Sequence, residues 1–352
     1  MRIPLDELPT PALLIDLDRL ERNLDAMART AAEAGVALRP HFKAAKSLEV
    51  ARRQLDRGAI GFTCATMGEV AALLDAGIDD LIWAHQPVGP AKVAFAVETG
   101  VTVALDSVEA ARPLAAAGAG VPYVLEVDTG LGRSGVAPGE AVRVAGELAE
   151  LGGLRLRGIL THEGHLMTYA GDPGGREKAG RRVGEVMTGV AAELGAAGHD
   201  CEIVSVGSTP GAATAPFAPG VTEARPGTYV FYDGNQVALG TADLSRCALT
   251  VLTRVVSVPR GGAVAIADAG IKAMSSDASL TGSGFGTVLG RPELSLGKAN
   301  EEHGYLTGGG LAVGDLLSIV PNHGCGAVNM WSAAYAVRDG HAVARWPIVG
   351  RH

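Results

Sequence analysis

The chain has 352 residues, 47% of them hydrophobic and 19% charged, with a net charge of −8. That composition supplies a core large enough for a barrel plus a smaller module and excludes an intrinsically disordered chain. The acidic balance, without a basic run carrying interleaved aromatics, argues against a nucleic-acid partner, because phosphate binding needs clustered Lys and Arg.

From Thr10 onward, short apolar runs alternate with helical patterns. Ala12–Asp16 reads as a strand. Asp18 is the expected N-cap of a helix over 19–34, with Leu20, Leu24, Met27 and Ala31 at helical spacing and Gly35 as its stop. The next strand, 36–39, runs straight into Pro40-His41-Phe42-Lys43. The unit then repeats: 60–65 with 67–76, 80–84 with 90–99, 101–105 with 107–117, 123–127 with 138–151, 155–161 with 176–197, and 203–206 with a glycine-containing loop. Such alternation predicts an α/β fold, a (β/α)8 TIM-like barrel over residues 10–240. Polar residues gather where strands end, among them His41, Lys43, Thr63, Cys64, His85, Asp128, His162, His165, Ser208 and Thr209, and barrel sites lie at that face.

Beyond about Gly240 the texture changes to short apolar runs broken by glycine, at 249–258, 263–267, 286–289, 316–320, 333–338 and 341–347. Asp339-Gly340 supplies the positive φ values of a primed hairpin turn. A mostly β C-terminal domain over 241–352, together with residues 1–9, is predicted. Cys64, Cys201, Cys247 and Cys325 form no CxxC pair, the start carries Arg2, Asp6 and Glu7 without an apolar run, and no stretch approaches the ~20 apolar residues of a membrane span. The expectation is a cytoplasmic protein with no membrane partner.

Lys43 sits at a strand end just before a helix, an address that suits a Schiff-base lysine for a carbonyl cofactor such as pyridoxal phosphate (PLP), or an ordinary solvated lysine. Asp128-Thr129-Gly130-Leu131-Gly132-Arg133-Ser134-Gly135 contains a GxGxxG. A dinucleotide site would want an acidic residue about 20 positions later on the next strand, which offers Arg155 and Arg157 instead. Gly207-Ser208-Thr209-Pro210-Gly211 and Arg225-Pro226-Gly227-Thr228-Tyr229 come late in the barrel, where barrels commonly hold phosphate, with glycine N–H groups and hydroxyls as donors. His323-Gly324-Cys325 places an imidazole and a thiol two residues apart on extended backbone, a pair suited to zinc or to plain burial. Glu301-Glu302-His303 is either support for that metal or a solvated turn.

Taken together, Arg39-Pro40-His41-x-Lys43, Gly207-Ser208-Thr209-Pro210, Pro226-Gly227-Thr228-Tyr229-Val230-Phe231-Tyr232-Asp233, Asp268-Ala269-Gly270, Glu301-Glu302-His303-Gly304 and Pro321-Asn322-His323-x-Cys325 resemble the fold-type III PLP enzymes of the D-threonine aldolase and D-serine dehydratase family, over nearly the whole chain. The resemblance implies a homodimer, Lys43 as the Schiff-base lysine, Ser208, Thr209, Gly227 and Thr228 around the phosphate, Arg133 near the cofactor ring, and His323 with Cys325 on a divalent metal, Zn or Mn. Two departures stand out. Lys43-Ala44-Ala45-Lys46 lacks the family's second histidine, and Gly164-His165-Leu166-Met167 lacks an aromatic, for which Tyr169 is the candidate replacement. The activity implied is a lyase on small-molecule β-hydroxy-D-amino acids, foremost retro-aldol cleavage to glycine and an aldehyde, with His165 or His162 taking the hydroxyl proton. D-Serine-type elimination to a keto acid and ammonia uses the same parts. Racemisation or PLP binding without turnover are further readings.

Overall fold

The computed structural model describes residues 2–118, 120–282 and 284–351. The chain forms two compact units, one of Met27–Lys43 and Ala51–Gly227, the other of residues up to Ala26, Ala44–Val50 and Thr228–Arg351.

The first unit is built on an 8-stranded sheet. Its strands are Ala37–Leu38, Phe62–Cys64, Leu81–Trp83, Thr102–Leu105, Val121–Glu126, Leu154–Leu160, Ile203–Val206 and Glu223–Ala224. From the second strand to the eighth each pairs in parallel with the next, and the eighth returns to the first. Parallel bridges Leu38–Ala59 and His41–Thr63 join the first strand to the second, so the ring closes as the alternating pattern predicts. Helices fill the connections, and their caps follow from the sequence. Thr66 accepts the Glu69 N–H at 3.1 Å to open Met67–Asp75, and Asp172 accepts the Gly175 N–H at 2.9 Å to open Pro173–Ala196. Ile82, Ala104, Val124, Leu160 and Ile203, one from each of five consecutive strands, form a buried cluster.

The barrel also contains buried charge. Arg39, 2% exposed, donates to Glu223 at 2.7 Å and to Asp80 at 2.7 Å. Glu223 in turn accepts the Ser205 hydroxyl at 2.7 Å. A guanidinium this deep is tolerable only because carboxylates answer it.

The second unit carries a 10-stranded sheet. Here the structure corrects the strand count. Ala12–Asp16, expected as the opening strand of the barrel, pairs antiparallel with Leu249–Ser257 and parallel with Ala333–Arg338. Its place in the barrel ring is taken by Glu223–Ala224, a two-residue strand just before Arg225 to which the sequence pattern gives no range. Both pairings bury the same ALLID run equally well, and hydrophobic pattern alone does not say which sheet receives it. Accordingly the division between units falls at Gly227/Thr228, and residues up to Ala26 join the β unit. Leu8, Ala12, Leu14, Leu252 and Ala342 make its core cluster. Asp339 and Gly340, at φ 50° and 71°, turn Ala333–Arg338 into His341–Pro347 as expected. Thr10 donates to Asp268 at 2.6 Å, which gives the Asp268-Ala269-Gly270 motif a structural task. Among the described residues no helix is long and apolar enough to cross a membrane.

Candidate active site

Lys43 lies on a short 3-10 turn, Phe42–Ala44, directly after the first barrel strand. Phe42 is 1% exposed and meets Phe62 edge-on with ring centroids 6.0 Å apart, which pins the turn to the second strand. The His41 N–H donates to the Pro226 carbonyl at 3.0 Å. Held from both sides, Lys43 lines a cavity of about 280 Å³ together with His41, Glu126, Arg133, His162, Gly207 and Arg225.

The electrostatics of this cavity are set by burial among cations. Burial, then the Lys43 ammonium, pushes the His162 imidazole down to about 3, and the same two causes hold His41 well below its ordinary value. Both rings are therefore neutral at working pH. His162 Nδ1 is 2.6 Å from the Gly207 carbonyl, which only accepts, so Nδ1 carries the proton and Nε2 keeps its lone pair. Glu163, 1% exposed, accepts the Gly207 N–H at 2.9 Å. Arg225 is 5% exposed and donates to the Ser205 hydroxyl and the Thr161 carbonyl. Burial opposes its charge, and Glu223, Glu163 and Glu126 support it.

The glycine motif after Val121–Glu126 has a local explanation. Asp128 Oδ1 accepts the N–H groups of Gly130, Leu131 and Gly132 at 2.9, 2.8 and 3.2 Å. The chain winds around that carboxylate with Gly130 and Gly132 at φ 134° and 70°, conformations open to glycine. The loop so formed brings Arg133 to the cavity, 3.9 Å from Glu126, which also accepts from Ser134 at 2.9 Å and Gln86 at 2.8 Å.

His165 and Tyr169 sit on the 3-10 turn Gly164–Tyr169 and line a different cavity, of about 550 Å³, with Thr129, Lys178 and Arg182. His165 Nδ1 is buried with no hydrogen-bond partner among the described residues, and a Cβ on Gly130 would lie 3.4 Å from the ring. Of the two histidines considered for proton transfer, it is thus His162 that lines the cavity of Lys43. Ser208 accepts the Gly211 N–H at 3.0 Å and bonds to Glu163, so its hydroxyl serves the loop itself. Thr209 is buried beside it at 9% exposure, and Gly227 ends the barrel unit.

In the β unit, His323 Nδ1 lies 3.3 Å from Asp277 Oδ2, and Thr228 Oγ1 is 3.8 Å from Cys325 Sγ. Asp233 accepts the Gly324 N–H at 2.8 Å and so ties the Tyr232-Asp233 motif to the His323 loop. Glu301-Glu302-His303 forms the exposed turn between Ser295–Ala299 and Gly304–Thr307, where Glu302 pairs with Lys272 at 3.0 Å. Among the described residues no cluster of three or more His, Cys, Asp or Glu could hold an ion.

Two fits follow from these observations. His41 Nδ1 is a buried polar atom with no hydrogen-bond partner among the described residues, beside an amine and two guanidinium groups. That surrounding suits an anionic, polar aromatic aldehyde. An imidazole steadied on one nitrogen by a carboxylate, with a thiol two residues on, is a donor set for a zinc-like ion with positions left open. Sequence reading missed Glu126, Glu163 and Asp277, and it saw Arg225 only as part of a turn.

Comparison with known proteins adds an independent line. The family described as alanine racemase, N-terminal domain, matches residues 15–234, and the serine dehydratase domain matches residues 248–337. The chain is 35% identical to the D-threo-3-hydroxyaspartate dehydratase of Delftia sp. (strain HT23), over 98% of each chain. It is 33% identical to the D-threonine aldolase of Arthrobacter sp., over 99% of this chain and 94% of that one. A cysteine-to-alanine variant of D-threo-3-hydroxyaspartate dehydratase, solved in a metal-free form, superposes with a TM-score of 0.92 at 34% identity, covering 98% of both chains.

Proposed function

This chain belongs to the fold-type III PLP family that joins an alanine racemase N-terminal domain to a serine dehydratase domain, and on that premise we propose that it is a PLP- and divalent-metal-dependent lyase that cleaves β-hydroxy-D-amino acids to glycine and an aldehyde. The observation that carries the reading is Lys43 in a cavity with two neutral histidines and two guanidinium groups. Bound through Lys43, PLP supplies the electron sink that lets a bond at the substrate Cα break. The chain's own residues do the rest. His162 offers Nε2 as a proton acceptor, because Nδ1 is committed to the Gly207 carbonyl. Arg133, on the cavity wall, gives the substrate carboxylate a cation. Arg225 stays charged through its acidic neighbours and fixes the floor. His323 and Cys325 would hold the metal, whose chemistry is to acidify a hydroxyl. Thr209, Gly227 and Thr228 are the proposed phosphate donors.

Elimination to a keto acid and ammonia is the second reading, favoured by the dehydratase from Delftia among the relatives. Supplying D-threonine and D-serine to the protein loaded with PLP and metal separates the two. Glycine plus aldehyde is expected. Keto acid plus ammonia as the only products overturns the aldolase reading, and no turnover of either overturns the lyase. The proposal extends to a homodimer, as the family resemblance implies, and to a reducing cytoplasm, supported by four cysteines that form no disulfide among the described residues.

A further inference from the structure

The residues around the proposed metal ligands contain an arrangement that the reaction above does not use. Asp277 Oδ2 faces His323 Nδ1 at 3.3 Å and accepts the Ser275 hydroxyl at 2.7 Å. Ser275 holds φ 68° and ψ 171°, a backbone region that in practice belongs to glycine. A side-chain-bearing residue persists there only where its surroundings over-determine it, and the side chain in question grips Asp277. Asn322, the residue before His323, donates to the Asp277 carbonyl at 3.0 Å and to the Gly284 carbonyl at 2.9 Å. Gly326 completes the set. A Cβ there would stand 2.1 Å from Asp277 Oδ2 and 2.9 Å from Ser275 Oγ. A strained serine and a glycine thus converge on the Asp277 carboxylate, an asparagine clamps its backbone carbonyl, and the carboxylate meets one imidazole nitrogen.

We propose that Asp277 is the positioning residue of the metal site: it holds the His323 Nδ1–H, so that the Nε2 lone pair is presented to the ion, and Ser275, Asn322 and Gly326 keep the carboxylate in place. A carboxylate behind a metal-bound imidazole fixes both the tautomer and the ring angle. Asp277 Oδ2 is engaged by His323 Nδ1 and the Ser275 hydroxyl, which places it behind the imidazole as a positioning group. The inference rests on the reading of His323 and Cys325 as metal ligands.

The test is a titration of the full chain, PLP retained and metal stripped, with Zn2+ alone against a competing chromophoric chelator. His323→Ala should abolish binding. Asp277→Ala should weaken it ~10–100-fold, the usual effect of losing such a partner. Asp277→Asn, whose amide oxygen still accepts from Nδ1–H, should recover most of that loss. Ser275→Gly relieves the backbone and so should keep the fold, yet still lower affinity several-fold by freeing Asp277. Wild-type affinity in Asp277→Ala or Ser275→Gly, with His323→Ala inactive in binding, overturns the positioning role and leaves the metal reading standing. Wild-type affinity in His323→Ala overturns the metal reading itself.

Discussion

Gly207→Ala adds one methyl group at the junction on which the cavity of Lys43 depends. Gly207 is not at a positive φ, so alanine meets no backbone penalty there, and in an open position the change would stabilise by ~0.4–1 kcal/mol. The obstacle is packing. The new Cβ would stand 2.7 Å from Arg225 Cβ and 3.1 Å from the Arg225 carbonyl oxygen. Ordinary carbon contacts begin near 3.5 Å, so one partner must retreat by about 0.8 Å. Neither is free to do so without consequence. Gly207 gives its carbonyl to His162 at 2.6 Å and its N–H to Glu163 at 2.9 Å, while Arg225 is held by Ser205 and Thr161. Overpacking of this kind costs ~1–3 kcal/mol, which corresponds to a ~5–150-fold loss if it falls on the cofactor-bound geometry. The assay is PLP titration by absorbance at the visible edge, beside a chemical unfolding curve. Weaker PLP binding with a near-normal unfolding midpoint is expected. Unchanged PLP affinity in Gly207→Ala would refute the claim that this junction shapes the cofactor cavity.

Further outcomes follow from the same geometry. His162 has its folded pKa lowered to about 3 from an ordinary 6.5, so its contribution to stability is complete above pH 6.5 and is lost as pH falls from there toward 3. His162→Gln should therefore reduce the fall in unfolding free energy between pH 7.5 and 5, read from urea curves, by about 2 kcal/mol; parallel pH profiles for the two proteins would contradict it. Asp128→Ala removes the acceptor of three N–H groups and frees the Arg133 loop. A rise in KM of roughly tenfold with a smaller change in kcat is expected, at ~1–3 kcal/mol for stranded polar groups, and unchanged steady-state kinetics would sink the loop argument. Stripping the metal with a chelator should abolish turnover and adding Zn2+ or Mn2+ should restore it, whereas full activity in chelator removes the metal from the reaction.

Much of the barrel was legible because each strand–helix unit repeats the same periodicity, and the candidate Lys43 stood out by its address at a strand end. What pattern does not encode is pairing. Ala12–Asp16 reads like any buried barrel strand, and only its register against Leu249–Ser257, Leu13 opposite Val251, assigns it to the β unit. Glu223–Ala224 is too short to show a period. Ser295–Ala299 and Gly304–Thr307 went unread because glycine and polar residues interrupt them, and they gain strand character from the ladder they share. The glycines of 130–135 match a dinucleotide pattern that the next strand does not complete, and their cause is the Asp128 carboxylate. Asp277 carries no sequence signal of its own, since its partner His323 is remote in the chain. The acidic residues that support the site, Glu126, Glu163 and Glu223, matter through burial and distance, which a linear string does not carry.

Everything proposed for the reaction depends on Lys43 carrying the cofactor. Incubating the protein with PLP, reducing with borohydride and sequencing the labelled peptide by mass spectrometry tests it most directly. A single pyridoxyl label on Lys43, absent in Lys43→Ala, is expected. Label on Lys46, whose amine donates to the Gly350 carbonyl at 2.7 Å, or no stable label at all, would contradict it.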